Sequence, residues 1–436
     1  MKVDVLVLLC ISYLKSCLSF KVQFRSCEEK GFQCVDSVSH SGRQDVTYEC
    51  PSDDLKDITL DFWIWDLPPN IDIDKLTIKN CHTLRLRFGC TELYRNITIL
   101  YVHHVVNLRI FEDDTSCNPT AVIFEHVDFI RSIPKRSFSQ ARCHEQHCGL
   151  KQLVFENVKI GVIETNAIEL SDSVQLFRIT NTMIDLIEAA GIRISARKFA
   201  SVYILNSAMD NVEALGVQVD ASKFVIADTS IDDLSFAGIS ASVRTFEFTS
   251  NSIGNSSSGA LAISAESVDV LRNKFQYLQS GAFNKIGPRQ GIFRFNFLGN
   301  YVRYVDVGGL HPQDGSRVHT TYANNSFYCT CEGLSWLGCN TSFGVGYEPI
   351  NDFYKHILEK ANNNTCIFDS DCILPLGAVQ KIAPNGICQT STIYDQSRFC
   401  DNYDDSSSAR LTNSLRLAFS CFAVLIYYNF QYLCIL

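Results

Sequence analysis

Apolar residues recur along the chain with a fixed rhythm rather than in blocks. Around Asn273 they fall at −5, −3, +2, +5 and +10, as Val268, Val270, Phe275, Leu278 and Phe283, with Ala282 at +9. The same frame fits Asn251, with Phe246, Phe248, Ile253 and Leu261, and Thr229, with Phe224, Ile226, Ile231, Leu234, Gly238 and Ile239. It continues forward to Asn300 and back through Ser207, Thr182, Val158, Val127, Val102 and Cys81, about ten units spaced 21 to 31 residues apart. Apolar residues two apart mark a short strand with one buried face, and the later apolar positions turn a returning arm inward. Gly or Ala at +9 leaves room where neighbouring coils approach. One such coil cannot bury its own apolar face and a stack can, so the rhythm predicts a solenoid.

Position zero is Asn only at Asn251, Asn273 and Asn300; elsewhere it is Thr, Ser, Val or Cys. In several units an Asn or Asp stands one residue earlier, at Asn80, Asn157, Asn181, Asn206 and Asp228. These coils are therefore expected either to be locally re-registered or to satisfy the backbone at the turn differently.

The frame resembles the leucine-rich repeat of extracellular proteins, LxLxxNxLxxLxxxxF. Residues 324–337 are similar to the opening of that family's C-terminal cysteine cap, with Phe327, Cys329, Cys331, Leu334, Trp336 and Leu337 in its places. The resemblance implies an α/β-type solenoid: a horseshoe with short parallel strands on its concave face and disulfide-rich caps. It also implies that Cys329 and Cys331 bond two downstream cysteines, and that strand positions −4, −2 and −1 face a partner. Tyr203, Leu205, Leu271 and Leu298 are then candidate contacts, along with Glu247 and Asp269. A parallel β-helix with a coil of about the same length is the alternative. On it, Glu247 and Asp269 would form a carboxylate pair suited to carbohydrate chemistry.

The two ends bear on compartment. Lys2 precedes an apolar stretch from Val5 to Leu14, and small residues Cys17 and Ser19 precede Phe20, the pattern of a secretory signal over residues 1–19. Residues 417–436 carry no charge, and small residues including Ser406 stand before a polar spacer, the pattern of a glycosylphosphatidylinositol attachment signal with Ser406 as acceptor. A membrane-spanning tail is the alternative. Between the ends, the expected organisation is an N-terminal cysteine-rich cap over 20–70, the solenoid over 71–323, a C-terminal cap over 324–400 and a linker over 401–416. Sequons at Asn96, Asn255, Asn324, Asn340 and Asn363 fit a secreted glycoprotein.

The chain has 19 cysteines. Those outside the two end segments fall in two groups with none over residues 149–328: Cys27, Cys34, Cys50, Cys81, Cys90, Cys117, Cys143 and Cys148, then Cys329, Cys331, Cys339, Cys366, Cys372, Cys388 and Cys400. The flanks are therefore expected to be disulfide-stapled, and the middle held by its own core.

A net charge of −9 without a basic run gives no footprint for nucleic acid. Cys143, His144, His147 and Cys148 have zinc-binding residue types, but the spacing is not that of a helical zinc protease, and an inserted disulfide loop is the plainer reading. No phosphate-binding loop, nucleophile elbow or calcium loop occurs, so neither enzyme activity nor a cofactor is expected. The sequence thus points to a cell-surface recognition protein, an adhesion molecule or co-receptor for an extracellular protein ligand, with homophilic pairing open to it. A secreted matrix protein and a carbohydrate-active β-helix enzyme are the rivals.

Overall fold

The computed structural model describes residues 19–22, 32–40, 42–50, 59–63, 73–87, 97–111, 119–139, 150–196, 200–306, 308–313, 318–329, 363–369 and 372–376. Over these residues the chain is a parallel β-solenoid, its strands gathered into one sheet of 24 strands and one of seven.

A representative coil shows how the sequence makes the shape. Thr245–Thr249 is a first strand with Phe246 and Phe248 inward. Ser250 follows at φ 57° and breaks the strand, and Asn251 turns into the core. Ser252–Ser256 is a second strand with Ile253 and Ser256 inward, and Leu261–Ala265 is a third strand on the other sheet. Thr245, Ser252 and Leu261 pair in parallel with Lys223, Ser230 and Ile239 of the coil before, so each coil lies on its neighbour in register. The core is a continuous file, with Phe246 and Phe248 at 6.0 Å between ring centroids, Phe248 and Phe275 at 6.4 Å, and Phe275 and Phe297 at 6.0 Å.

A solenoid is what the rhythm predicts and what the chain forms. The α/β horseshoe is corrected: the returning arm of these coils consists of strands. In the second strand the inward residues are three apart, as at Ile184 and Ile187, and of the two residues between them Leu186 pairs with the neighbouring coils while Asp185 is skipped. Two outward residues in succession, repeated from coil to coil without a shift of register, set the inward residues three apart instead of two, which reads as a loop or helical turn. The unit placed at Val102 is also shifted: Cys81 pairs with Val105 and Val105 with Val127, so the corner of that coil is Val105.

The +9 position behaves as the spacing predicts. A Cβ on Gly191 would stand 3.0 Å from the Ile163 carbonyl oxygen of the coil before, and one on Gly238 3.2 Å from the Val212 carbonyl oxygen of the coil before. A second left-handed column lies beside it, through Asn166, Ala190, Leu215, Ala237, Gly259 and Gly281.

Both ends of the stack are closed by antiparallel pairs. Phe32–Asp36 pairs with Gln44–Glu49, which joins the first coil in parallel, and the Cys50–Cys81 disulfide ties this hairpin down. At the other end Ser326–Tyr328 receives Thr365–Asp369 in parallel, Cys372–Pro375 folds back on it, and Cys329 is bonded to Cys366. The outer strands of these hairpins are short, Phe32–Asp36 and Cys372–Pro375, and a short edge strand is a poor template for pairing with another chain. Cys34 is disulfide-bonded as well.

Candidate functional site

The corner between first and second strands is the most repeated feature of the molecule. Its outward residue is left-handed in coil after coil: Asn80, His104, His126, Asn157, Asn181, Asn206, Asp228, Ser250, Arg272, Gly299 and Asn324. The displaced Asn and Asp of the sequence frame are these residues, and Asn, Asp and Gly adopt that conformation at least cost.

The next residue points inward and joins a ladder. Asn251 N–H donates to Asn273 Oδ1 at 2.8 Å, Asn273 N–H to Asn300 Oδ1 at 2.8 Å, Asn300 N–H to Asn325 Oδ1 at 2.9 Å, and Asn325 N–H to Asn364 Oδ1 at 2.9 Å. Hydroxyls take over toward the N-terminus. Thr229 N–H donates to Asn251 Oδ1 at 3.0 Å, Ser207 N–H to Thr229 Oγ1 at 3.4 Å and Thr182 N–H to Ser207 Oγ at 3.2 Å. The Thr and Ser at position zero are therefore members of the same ladder. The frame was legible as far as Asn300, whereas the two further rungs at Asn325 and Asn364 lay within the stretch that resembles a cap.

Along the outside of this corner runs a groove of about 680 Å³ over four coils. It is lined by residues 181–183, 206–208 and 228–230 with Ser250 and Ser252. Amides and hydroxyls stand along it over a surface that is mainly carbon, and Asp228 is the one charged side chain among the lining residues. Beside the groove, Tyr203 and Leu205 are half-buried on the outer face of one first strand. Leu271 and Leu298 lie opposite each other on adjacent strands.

Glu247 and Asp269 are likewise register partners on adjacent coils. Each carries a neighbour's hydrogen: Lys223 Nζ lies 2.7 Å from Glu247 Oε1, and Asn296 Nδ2 donates to Asp269 Oδ1 at 2.7 Å. The structure thus brings together Glu247 with Asp269 and Leu271 with Leu298, while Tyr203 and Leu205 stand several coils away.

A second cluster, absent from the sequence reading as a cluster, occupies the N-terminal coils. Lys79, His103 and Glu125 share a register, His103 and His104 approach to 2.6 Å between their Nδ1 atoms, and the rings of His104 and His126 stack at 5.2 Å. Tyr101 donates its hydroxyl to Glu125, and Asn157 Nδ2 lies 3.5 Å from His126 Nε2. Burial, then the charges of His104, Lys79, Lys75 and His126, hold the His103 imidazole below its ordinary pKa. Only the left-handed column brings His104 and His126 together, and nothing in the apolar rhythm marks it. Among the described residues no group of three or more His, Cys, Asp or Glu side chains is arranged to hold a metal ion.

Of the candidate modification sites, Asn255 lies half-buried on a second strand, Asn324 is exposed on the corner column, and Asn363 is exposed beside the last ladder residue. Asn96, Asn340 and Ser406 lie outside the described residues, as do Cys27, Cys90, Cys117, Cys143, Cys148, Cys331, Cys339, Cys388 and Cys400. The signal-like segment up to residue 18 and the apolar tail do too. Among the described residues no helix is long and apolar enough to cross a membrane.

No family model matches the chain, and no curated protein matches it. Among solved structures it is similar to a chain of the Toll–Spatzle complex, described as a molecular hub in Drosophila development and innate immunity. That match has 11% identity over 71% of this chain and 70% of the other, with a TM-score of 0.14. At that score the likeness bears on neither fold nor function, and the solenoid rests on the chain's own strand pairing.

Proposed function

We propose that this chain is an extracellular glycoprotein of the cell surface that works by protein recognition, as an adhesion molecule or co-receptor held by a glycolipid at Ser406. The observation that carries the reading is the corner groove, a surface repeated over four coils in which amide and hydroxyl groups stand among apolar ones such as Met183 and Ala208. Such a lining pairs with the amides and mixed side chains of a polypeptide, and the half-buried Tyr203 and Leu205 beside it supply apolar area to bury. Disulfides in both end hairpins agree with an oxidising compartment. Affinity with extracellular leucine-rich-repeat proteins belongs to the same reading, supported by the Phe327, Cys329 and Trp336 pattern and by Cys329 bonding a downstream cysteine.

A second reading, a carbohydrate-active enzyme on a parallel β-helix, is favoured by the three-stranded coil and by Glu247 beside Asp269. It is the weaker one because both carboxylates are engaged by Lys223 and Asn296. The test is display of the full chain on cultured cells. Phosphatidylinositol-specific phospholipase C is expected to release it, and the released ectodomain is expected to bind receptor-bearing cells. Asn206→Arg with Ser230→Arg should abolish that binding and Glu247→Gln with Asp269→Asn should leave it. Glycan cleavage by the wild type that disappears in the carboxylate variant would reverse the choice.

A further inference from the structure

Outside the corner groove, the outer face of the second strands changes character along the stack. One register column runs Asn211, Asp233, Asn255, Tyr277, Tyr304. Leu186 and Val162 continue it toward the N-terminus, so the column is apolar at first, polar from Asn211 to Asn255 and aromatic beyond. Neighbouring members stand one strand spacing apart, about 4.8 Å.

The two tyrosines are held as a platform. Tyr277 donates its hydroxyl to Asp306 Oδ2 at 2.8 Å, and that bond, with burial second, raises its pKa. The pinned side chain remains 37% exposed. Tyr304 meets Tyr328 edge-on at 6.0 Å, with the Arg303 guanidinium 5.2 Å from its centroid. A fixed ring that keeps part of its surface open, as Tyr277 does, gains when an apolar surface covers it. Asn255 opens an Asn-Ser-Ser sequon, and its side-chain oxygen is 3.5 Å from Gln279 Nε2 of the next coil, on the tyrosine side.

We propose that Asn255 carries an N-linked glycan whose first N-acetylglucosamine lies over Tyr277 and Tyr304. The C–H face of the pyranose covers the rings, and its hydroxyls and acetamide face water. In the modification, Asn255 Nδ2 bonds to the anomeric carbon of a polyprenyl-diphosphate-linked oligosaccharide. The sugar–phosphate bond breaks, and the amide proton leaves with the released polyprenyl diphosphate. The inference rests on the secretory reading above and adds a structural role for one sugar: a roof over three consecutive coils.

The test uses the full chain expressed in a secretory eukaryotic cell line, with site occupancy read by peptide mass spectrometry. Asn255→Gln should lower the melting temperature by about 2 °C, and trimming the wild type to a single N-acetylglucosamine should leave it unchanged. In Tyr277→Ser with Tyr304→Ser, adding Asn255→Gln should cause no further drop, whereas Tyr277→Phe should keep most of the glycan's effect. Should the serine variant fail to fold, the wild type still decides, because enzymatic deglycosylation of the folded protein should be slower at Asn255 than at the corner residue Asn324. Additive melting shifts, or equal deglycosylation rates, overturn the proposal. An empty Asn255 with Asn324 or Asn363 occupied overturns it and leaves the secretory reading standing; no sequon occupied removes both.

Discussion

The N-terminal and C-terminal coils solve the same corner with opposite chemistry. In the first coils the inward corner residue is apolar, Cys81, Val105, Val127 and Val158, and the strand runs through the bend without a break, as in Ile97–Phe111 and Ala121–Ile133. From Thr182 onward it is polar and buried, and the strand divides in two. The passage goes through hydroxyls before amides, and hydrogen-bond reach explains the order. Thr182, Ser207 and Thr229 donate their hydroxyls within their own coil, to the carbonyls of Thr180, Leu205 and Ala227 at 2.9, 2.7 and 2.9 Å. Asn273 reaches both ways: its Nδ2 donates to Phe248 O in the coil before at 2.7 Å and to Asn300 Oδ1 in the coil after at 3.0 Å. A side chain with two donors and an acceptor links three coils, and a hydroxyl links two. Either filling closes the core. The amide also fixes the register, because every rung must find its partner.

The largest effects should come from moving each chemistry into the other half. Asn273→Ala removes the acceptor of the Asn251 N–H and the donor to Phe248 O inside the core, with an expected loss of about 3–5 kcal/mol in chemical denaturation. Val127→Asn places an amide between Val105 and Val158, where no ladder receives it, at an expected cost of about 2–4 kcal/mol. If Val127→Asn were neutral, the apolar coils would already hold unused ladder partners and the contrast would fail.

Two smaller substitutions sharpen it. At the second corner the +9 residue is Ala in Ala260 and Ala282 but Gly in Gly238, where an added Cβ meets Leu234 Cδ1 at 2.7 Å and Ser235 O at 3.0 Å. Gly238→Ala should therefore cost about 2 kcal/mol, while Ala260→Gly should cost less than half of that. Thr229→Val keeps the shape and deletes the acceptor of the Ser207 N–H, so a loss of about 1–2 kcal/mol is expected, below that of Asn273→Ala. Equal losses for the two would mean that the amide's reach into both neighbouring coils adds nothing.

The sequence carries the inward first-strand residues plainly, since Phe246 with Phe248 and Val268 with Val270 repeat at the period of a strand. It also carries the ladder at Asn251, Asn273 and Asn300. It conceals the second strand, because two outward residues in succession, Asp185 and Leu186 and their equivalents, set the inward residues three apart. It conceals the groove as well, since the groove is made by left-handed residues as unlike as Asn206, Asp228 and Ser250, which share a backbone conformation and no side-chain type. The Glu247 and Asp269 adjacency was legible from the frame. Their engagement by Lys223 and Asn296 needed the actual register.

The histidines of the N-terminal coils offer the mildest probe of the contrast. His103 faces Lys79 and Glu125 across its register, Tyr101 and His104 along its own coil, and Lys75 and His126 beyond. Its folded pKa lies below the unfolded value of about 6.5. The unfolded chain therefore binds the proton more readily between the two values, and stability falls with pH in that window. The contribution is complete above pH 6.5 and is lost as pH drops through the lower, folded value. Amide exchange over Ile97–Phe111 is expected to quicken, once corrected for its intrinsic pH dependence, between pH 7 and pH 5, while exchange over Thr245–Thr249 holds steady. His103→Gln should flatten the difference, because it removes the titrating ring and keeps a side chain able to hydrogen-bond. An unchanged pH response in that variant would show that the His103 imidazole is not the group responsible, and the contrast between the two halves would lose its pH signature.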